Sequence, residues 1–143
     1  MAPLRMAATT AALLLCSAAA SLAAQDSRAA ERSTRTGAYT ERQADKGGAT
    51  YAKHCVACHA PAAVTGLPFR RAWTGRTAYD FFELIRTTMP QDNPGRLSRS
   101  QYTEIVAYLF RLNGFPSGDT PLPSDADALK LIRIESTPSR NDP

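Results

Sequence analysis

Cys55-Val56-Ala57-Cys58-His59 is the stretch on which the fold of this 143-residue chain turns. Two cysteines spaced C-x-x-C and followed at once by histidine form the attachment signature of a c-type haem. The spacing has a chemical reason. Two thiols three positions apart lie on one side of a helical turn, where both reach the vinyl groups of one porphyrin. The next residue then brings an imidazole nitrogen beneath the iron. Two other readings compete. A C-x-x-C pair alone is also a thiol redox motif, but the abutting His59 and the lack of a βαβ pattern argue against it. Structural zinc takes four ligands, whereas Cys55, Cys58 and His59 supply three and His54 sits too close in sequence to add a fourth easily. The expectation is one haem c, covalently held through Cys55 and Cys58.

Upstream of the motif, residues 1–24 read as a secretory signal peptide: Arg5 precedes the apolar run Ala11 to Cys16, and small residues follow. The run is too short for a membrane span, so no span is expected in the mature form and the location expected is periplasmic. Cys16 admits a lipobox reading, but Leu15 is bulky where a small residue belongs, so a cysteine inside a discarded segment is favoured over a lipid anchor. Of the three cysteines, only Cys55 and Cys58 then remain. Both go to the haem, so no disulfide framework is left, and the covalent cofactor becomes the staple that a small exported domain needs. The formal charge of +4 falls to about +3 once Arg5 is removed. With no clustered basic residues there is no nucleic-acid footprint. Arg70-Arg71 with Arg76, and Arg96 with Arg99, are small basic groups on a solvated surface.

Residues 25–39 are polar and aperiodic and read as a flexible leader. Thr40-Glu41-Arg42-Gln43 then matches a capping box and opens a helix from about Glu41 to His54. Ala44, Gly47, Gly48, Tyr51 and Ala52 share one of its faces. Two glycines inside a helix cost about 1 kcal/mol each against alanine, which points to another element approaching closely there. Residues 60–74 read as loop, punctuated by Pro61, Gly66 and Pro68. Thr77 caps a second helix carrying the stripe Ala78, Phe81, Phe82, Ile85, which stops before Met89-Pro90. Ser98 caps a third, from about Arg99 to Leu112, with the stripe Tyr102, Ile105, Val106, Leu109 and a stop at Asn113-Gly114. Residues 115–143 form a Pro-rich extension in which Leu129, Leu131, Ile132 and Ile134 lay the tail on the body. No β pattern appears, so the class is all-α: three main helices around one haem, with an extended C-terminal tail.

Counting narrows the iron's second axial ligand. After signal removal, Met89 is the sole methionine, and His54 the sole histidine besides His59. His54 directly precedes Cys55, so it is hard to place across the ring. Met89 follows the second helix, and Pro90 cannot continue that helix, which holds Met89 in a loop where a far-side ligand is needed. His59 and Met89 are therefore the candidate metal ligands. A soft thioether raises the reduction potential, and a filled sixth position points to electron transfer rather than substrate turnover.

These residues resemble the monohaem class I cytochromes c of the small bacterial periplasmic kind, over about Ala44 to Gly114. The resemblance rests on Gly47-x-x-x-Tyr51-x-x-x-Cys55-x-x-Cys58-His59, Trp73-x-Gly75, Met89-Pro90, Pro94-Gly95-x-Leu97-Ser98 and Tyr102-x-x-Ile105-Val106-x-Tyr108-Leu109. It implies a cytochrome c domain over residues 40–114, whose first and last helices cross at Gly47 against an aromatic such as Tyr108. It also implies that Trp73 lies near a haem propionate, and that a carbonyl of the Gly66-Leu67-Pro68 loop, with Pro68 in the cofactor's wall, accepts the N–H of the His59 ring. The family's usual glycine after the haem histidine is replaced here by Ala60-Pro61. The segment from Asn113 to Ile134 is similar to cytochromes that accompany quinoprotein dehydrogenases. Three functions stay open: a periplasmic carrier passing electrons from a dehydrogenase towards a respiratory oxidase, a cytochrome subunit of a dehydrogenase complex, and, were Met89 not to bind iron, a gas-binding or peroxidatic haem protein.

Overall fold

A computed structural model describes residues 32–136. The expected signal peptide, the first part of the leader and the last residues of the tail lie outside the described residues. In chain order the helices are α1 (Glu41–His54), α2 (Leu67–Trp73), α3 (Ala78–Thr88), α4 (Arg99–Leu112) and α5 (Ala126–Lys130), with a 3-10 turn at Pro61–Val64 between α1 and α2. Among the described residues there is no β-strand, only isolated bridges from Arg133 to Ser33 and to Thr77. The all-α class expected from the sequence is the one observed. No described helix is long and apolar enough to cross a membrane.

The three main helices start where their caps place them. Thr77 and Ser98 each form a full capping box, with Asp80 and Gln101 returning the bond. At Thr40 only half of the expected box forms. Its hydroxyl accepts from the Gln43 N–H at 3.3 Å, but the Gln43 amide turns away and pairs twice with the Leu122 backbone, at 2.8 and 2.7 Å. The extension beyond α4 has recruited the residue that would have closed the cap.

α1 and α4 cross with their backbones almost touching. Ala44, Gly47 and Tyr51 are the buried face of α1, against Tyr102, Ile105, Val106 and Leu109 of α4. A β-carbon at Gly47 would lie 1.8 Å from the Glu104 carbonyl oxygen. The close approach predicted from the two glycines is thus present, but its partner is α4 backbone. The aromatic Tyr108 lies over the neighbouring Gly48 instead, where a β-carbon would come within 3.2 Å of its ring. Arg111 seals the rim of the crossing, bonding Asp45 at 2.6 Å and Glu41 at 3.2 Å.

Two expectations need correction. Residues 60–74 are not a continuous loop, because Leu67–Trp73 is helical. Pro68 falls in the first turn, where the missing N–H has no intrahelical partner to lose, and Gly66 reaches the N-cap with φ +77°. Read as breakers, these two residues are helix starters. The described part of the leader, 32–39, is packed rather than flexible: Thr34, Ala38 and Tyr39 are buried. Its polar sequence hides this because backbone bonding holds it. Thr34 N–H donates to the Arg133 carbonyl at 3.0 Å, and Gly118 N–H to the Tyr39 carbonyl at 2.7 Å. The Tyr39 hydroxyl donates to the Phe115 carbonyl at 2.7 Å.

Residues 132–134 form a strap that closes over the α2–α3 connection. Gly75 N–H donates to the Ile134 carbonyl at 2.8 Å, Ile134 N–H to the Arg76 carbonyl at 2.9 Å, and Ala78 N–H to the Ile132 carbonyl at 2.8 Å. The side chains of Leu129, Ile132 and Ile134 are buried, whereas Leu131, expected with them, is 57% exposed.

Candidate haem site

α1 delivers the motif. Its last residue is His54, and Cys55 caps it, donating its N–H to the Tyr51 carbonyl at 2.8 Å. The N–H groups of Cys58 and His59 then both donate to the Cys55 carbonyl, at 3.1 and 2.9 Å. C-x-x-C-H is thereby wound into one tight turn. The Tyr51 hydroxyl donates to the His59 carbonyl at 2.8 Å and fixes the end of that turn. Both cysteines are free, Cys55 half-buried and Cys58 exposed. Burial pushes the Cys55 thiol up, against a weaker downward pull from Arg96, so it stays protonated at neutral pH.

These residues open onto a cavity of about 800 Å³, in the upper range for cofactor pockets. Cys55, Cys58, His59, Pro68, Trp73 and Met89, the six site residues expected from sequence, all line it. Met89 enters from the end of α3: it caps that helix in an extended conformation, with its N–H on the Ile85 carbonyl. The Tyr102 hydroxyl donates to the Met89 carbonyl at 2.7 Å.

The inner wall is aromatic. Phe81 packs at 4.5 Å from Trp73 and edge-on at 5.3 Å from Phe69, and Ile105 and Leu109 of α4 complete that side. Arg76 lies 5.3 Å over the Trp73 ring. Trp73 is therefore a wall of the cavity. Pro68 also lines the cavity, but Leu67 and Pro68 belong to α2, and the Gly66 carbonyl is taken by the Arg70 N–H at 3.0 Å. Among the described residues no hydrogen bond links this segment to the His59 ring.

The mouth carries the charge. Arg96 bridges Asp92 at 3.1 Å and the His54 Nδ1 at 3.2 Å. His54 thus has a partner outside the cavity's donor set. Of the other basic residues expected on the surface, Arg99 is tied to the Ser124 carbonyl and covers Phe82. Sequence reasoning missed Asn113, read only as a helix stop. Its buried amide donates to the Val64 and Leu109 carbonyls at 3.2 and 2.8 Å and accepts from the Gly66 N–H at 3.0 Å. It bolts the loop behind the motif to the end of α4. Nothing local marks this, because the partners are distant in sequence.

The residues fit a covalently bound haem. The Cys55 and Cys58 thiols, the His59 imidazole and the Met89 thioether line one largely apolar cavity. Among the described residues no three or more of His, Cys, Asp and Glu gather as a metal cluster, and His54, which also lines the cavity, is engaged by Arg96. Residues 42–109, just under half of the chain, match the family model described as cytochrome c oxidase, cbb3-type, subunit III. The matched span takes in every cavity residue named above. No curated protein and no solved structure matches the chain.

Proposed function

Residues 42–109 form a monohaem class I c-type cytochrome domain, and on that premise we propose that the chain is a periplasmic one-electron carrier. It would take electrons from a dehydrogenase and pass them towards a respiratory oxidase. The observation that carries this reading is the convergence of Cys55, Cys58, His59 and Met89 on one apolar cavity. A bound haem supplies a one-electron iron couple whose potential follows its axial ligands. The chain's residues do the rest. Cys55 and Cys58 would hold the group covalently. His59 offers a nitrogen and Met89 a soft sulfur that favours the reduced state. Phe69, Trp73, Phe81, Ile105 and Leu109 keep water from the inner wall, and exclusion of water also tunes the potential. His59 and Met89 would both ligate the iron and so would leave no open position for a substrate, which favours electron transfer over turnover. The signal-like pattern of residues 1–24, Arg5 ahead of the apolar run Ala11 to Cys16, supports a periplasmic location.

Met89→Ala tests the ligand set. Covalent haem should persist, the iron should become open to carbon monoxide, and the midpoint potential should fall. A potential identical to that of the parent protein removes Met89 from the coordination sphere. His59→Ala should abolish stable maturation.

A second reading keeps this chemistry and changes its setting: a cytochrome subunit of a larger complex. The match to an oxidase subunit favours an assembly of that kind, and the resemblance of the C-terminal segment favours a quinoprotein dehydrogenase. Native size decides between the settings. A carrier migrates alone in a periplasmic extract, whereas a subunit migrates with a catalytic chain.

A further inference from the structure

We propose that Tyr102 is a positioning residue for Met89, an inference that rests on Met89 being an axial ligand. A methionine that must hold iron from an irregular segment needs its backbone fixed, because its side chain has three freely rotating bonds. The structure pins that backbone at both ends. The Met89 N–H is held by its own helix, on the Ile85 carbonyl at 2.9 Å. The carbonyl is held from a different helix, by the Tyr102 hydroxyl at 2.7 Å.

Tyr102 is itself immobile. It is 1% exposed, with its ring edge-on to Phe82 at 6.3 Å. It lies in the first turn of α4, which the reciprocal Ser98–Gln101 cap fixes. Rotation of the Met89 segment away from the cavity therefore breaks a bond to a donor that cannot follow. The other candidate ligand has a parallel contact, from the Tyr51 hydroxyl to the His59 carbonyl at 2.8 Å, but His59 is already tethered by the adjoining Cys58. Met89 has no covalent tether, so the Tyr102 bond is the one on which ligand retention depends.

The test uses the mature haem-loaded protein and its ferric sulfur-to-iron absorption band, titrated with imidazole, which competes for the iron. Tyr102→Phe keeps the ring and removes only the hydroxyl. Loss of one such hydrogen bond should make imidazole displace Met89 roughly five-fold more readily, and the midpoint potential should drop with it. Tyr39→Phe is the control, since it deletes an equally short hydroxyl bond, to Phe115, at a site away from the ligands. It should lower the denaturation midpoint but leave the imidazole titration unchanged. If Tyr102→Phe and Tyr39→Phe titrate like the parent, Tyr102 is structural and the proposal fails. If Met89→Ala leaves the band and potential intact, the ligand assignment itself has failed. A selective shift in Tyr102→Phe, with the band absent in Met89→Ala, establishes both.

Discussion

Gly47→Ala should weaken this protein severely, although alanine is the better helix former. The substitution gains about 1 kcal/mol in helix propensity. Against that stands the α1–α4 crossing. The new β-carbon would lie 1.8 Å from the Glu104 carbonyl oxygen, 2.4 Å from its carbon and 3.0 Å from the Ile105 nitrogen. All three are backbone atoms of a helix interior, so no rotamer change relieves them. Reaching ordinary contact at 3.4 Å means moving the helices apart by about 1.6 Å, a gap beyond the 0.5–1 Å that already forfeits up to half of a contact's attraction. Ala44, Tyr51, Ile105 and Leu109 all pack at this crossing. Overpacking costs 1–3 kcal/mol and sometimes more, and the absence of any yielding side chain places this site at the top of that range. Set against the gain in propensity, a net loss of about 2 kcal/mol lowers the melting temperature of a domain this size by roughly 8–16 °C. Gly48→Ala is the matched comparison. Its β-carbon meets the Tyr108 ring at 3.2 Å, and a side chain can give by tenths of an ångström, so the effect should be small. Denaturant titration of both variants and the parent, in the haem-loaded form, measures the difference. Equal stability of Gly47→Ala and Gly48→Ala would refute the close crossing.

Two further outcomes follow from the same packing and capping. Ile134→Ala, at a fully buried position in the strap over the α2–α3 connection, should cost about 2–4 kcal/mol by denaturant titration; a loss below about 0.5 kcal/mol, the usual bound for surface changes, would mean the extension is not part of the core. The Thr77 N–H and hydroxyl hold the Asp80 carboxyl below its ordinary range, so Asp80 contributes stability that is complete above its unfolded pKa of about 3.9 and is lost as pH falls through the folded value. Asp80→Asn should flatten that acid limb in a stability-against-pH series, and an unchanged slope would show that the box does not set it.

Much of the site is legible in the sequence because its signals are local. The C-x-x-C-H motif, the caps at Thr77 and Ser98, and the stripes of α3 and α4 each lie within one or two helical turns, and the structure places them as read. The failures share a different cause. Gly66 and Pro68 punctuate a loop and start a helix with the same chemistry, and only tertiary packing decides which. Residues 32–39 look flexible because the sequence cannot show that Arg133, Gly118 and Phe115 supply their hydrogen-bond partners. Asn113 and Tyr102 carry no local mark for the same reason: Asn113 acts on Val64 and Gly66, and Tyr102 on Met89. Gln43 matched a local pattern that a distant backbone, Leu122, then outcompeted.

Cys55, Cys58, His59 and Met89 are proposed to hold one haem as a closed electron-transfer centre. The most direct test is the absorption spectrum of protein matured in a periplasm competent for haem c attachment, oxidised and reduced, without and then with carbon monoxide. A low-spin spectrum with the weak ferric sulfur-to-iron band, unmoved by carbon monoxide, is expected. A high-spin spectrum that shifts with carbon monoxide, or a chain that emerges with no haem at all, would contradict it.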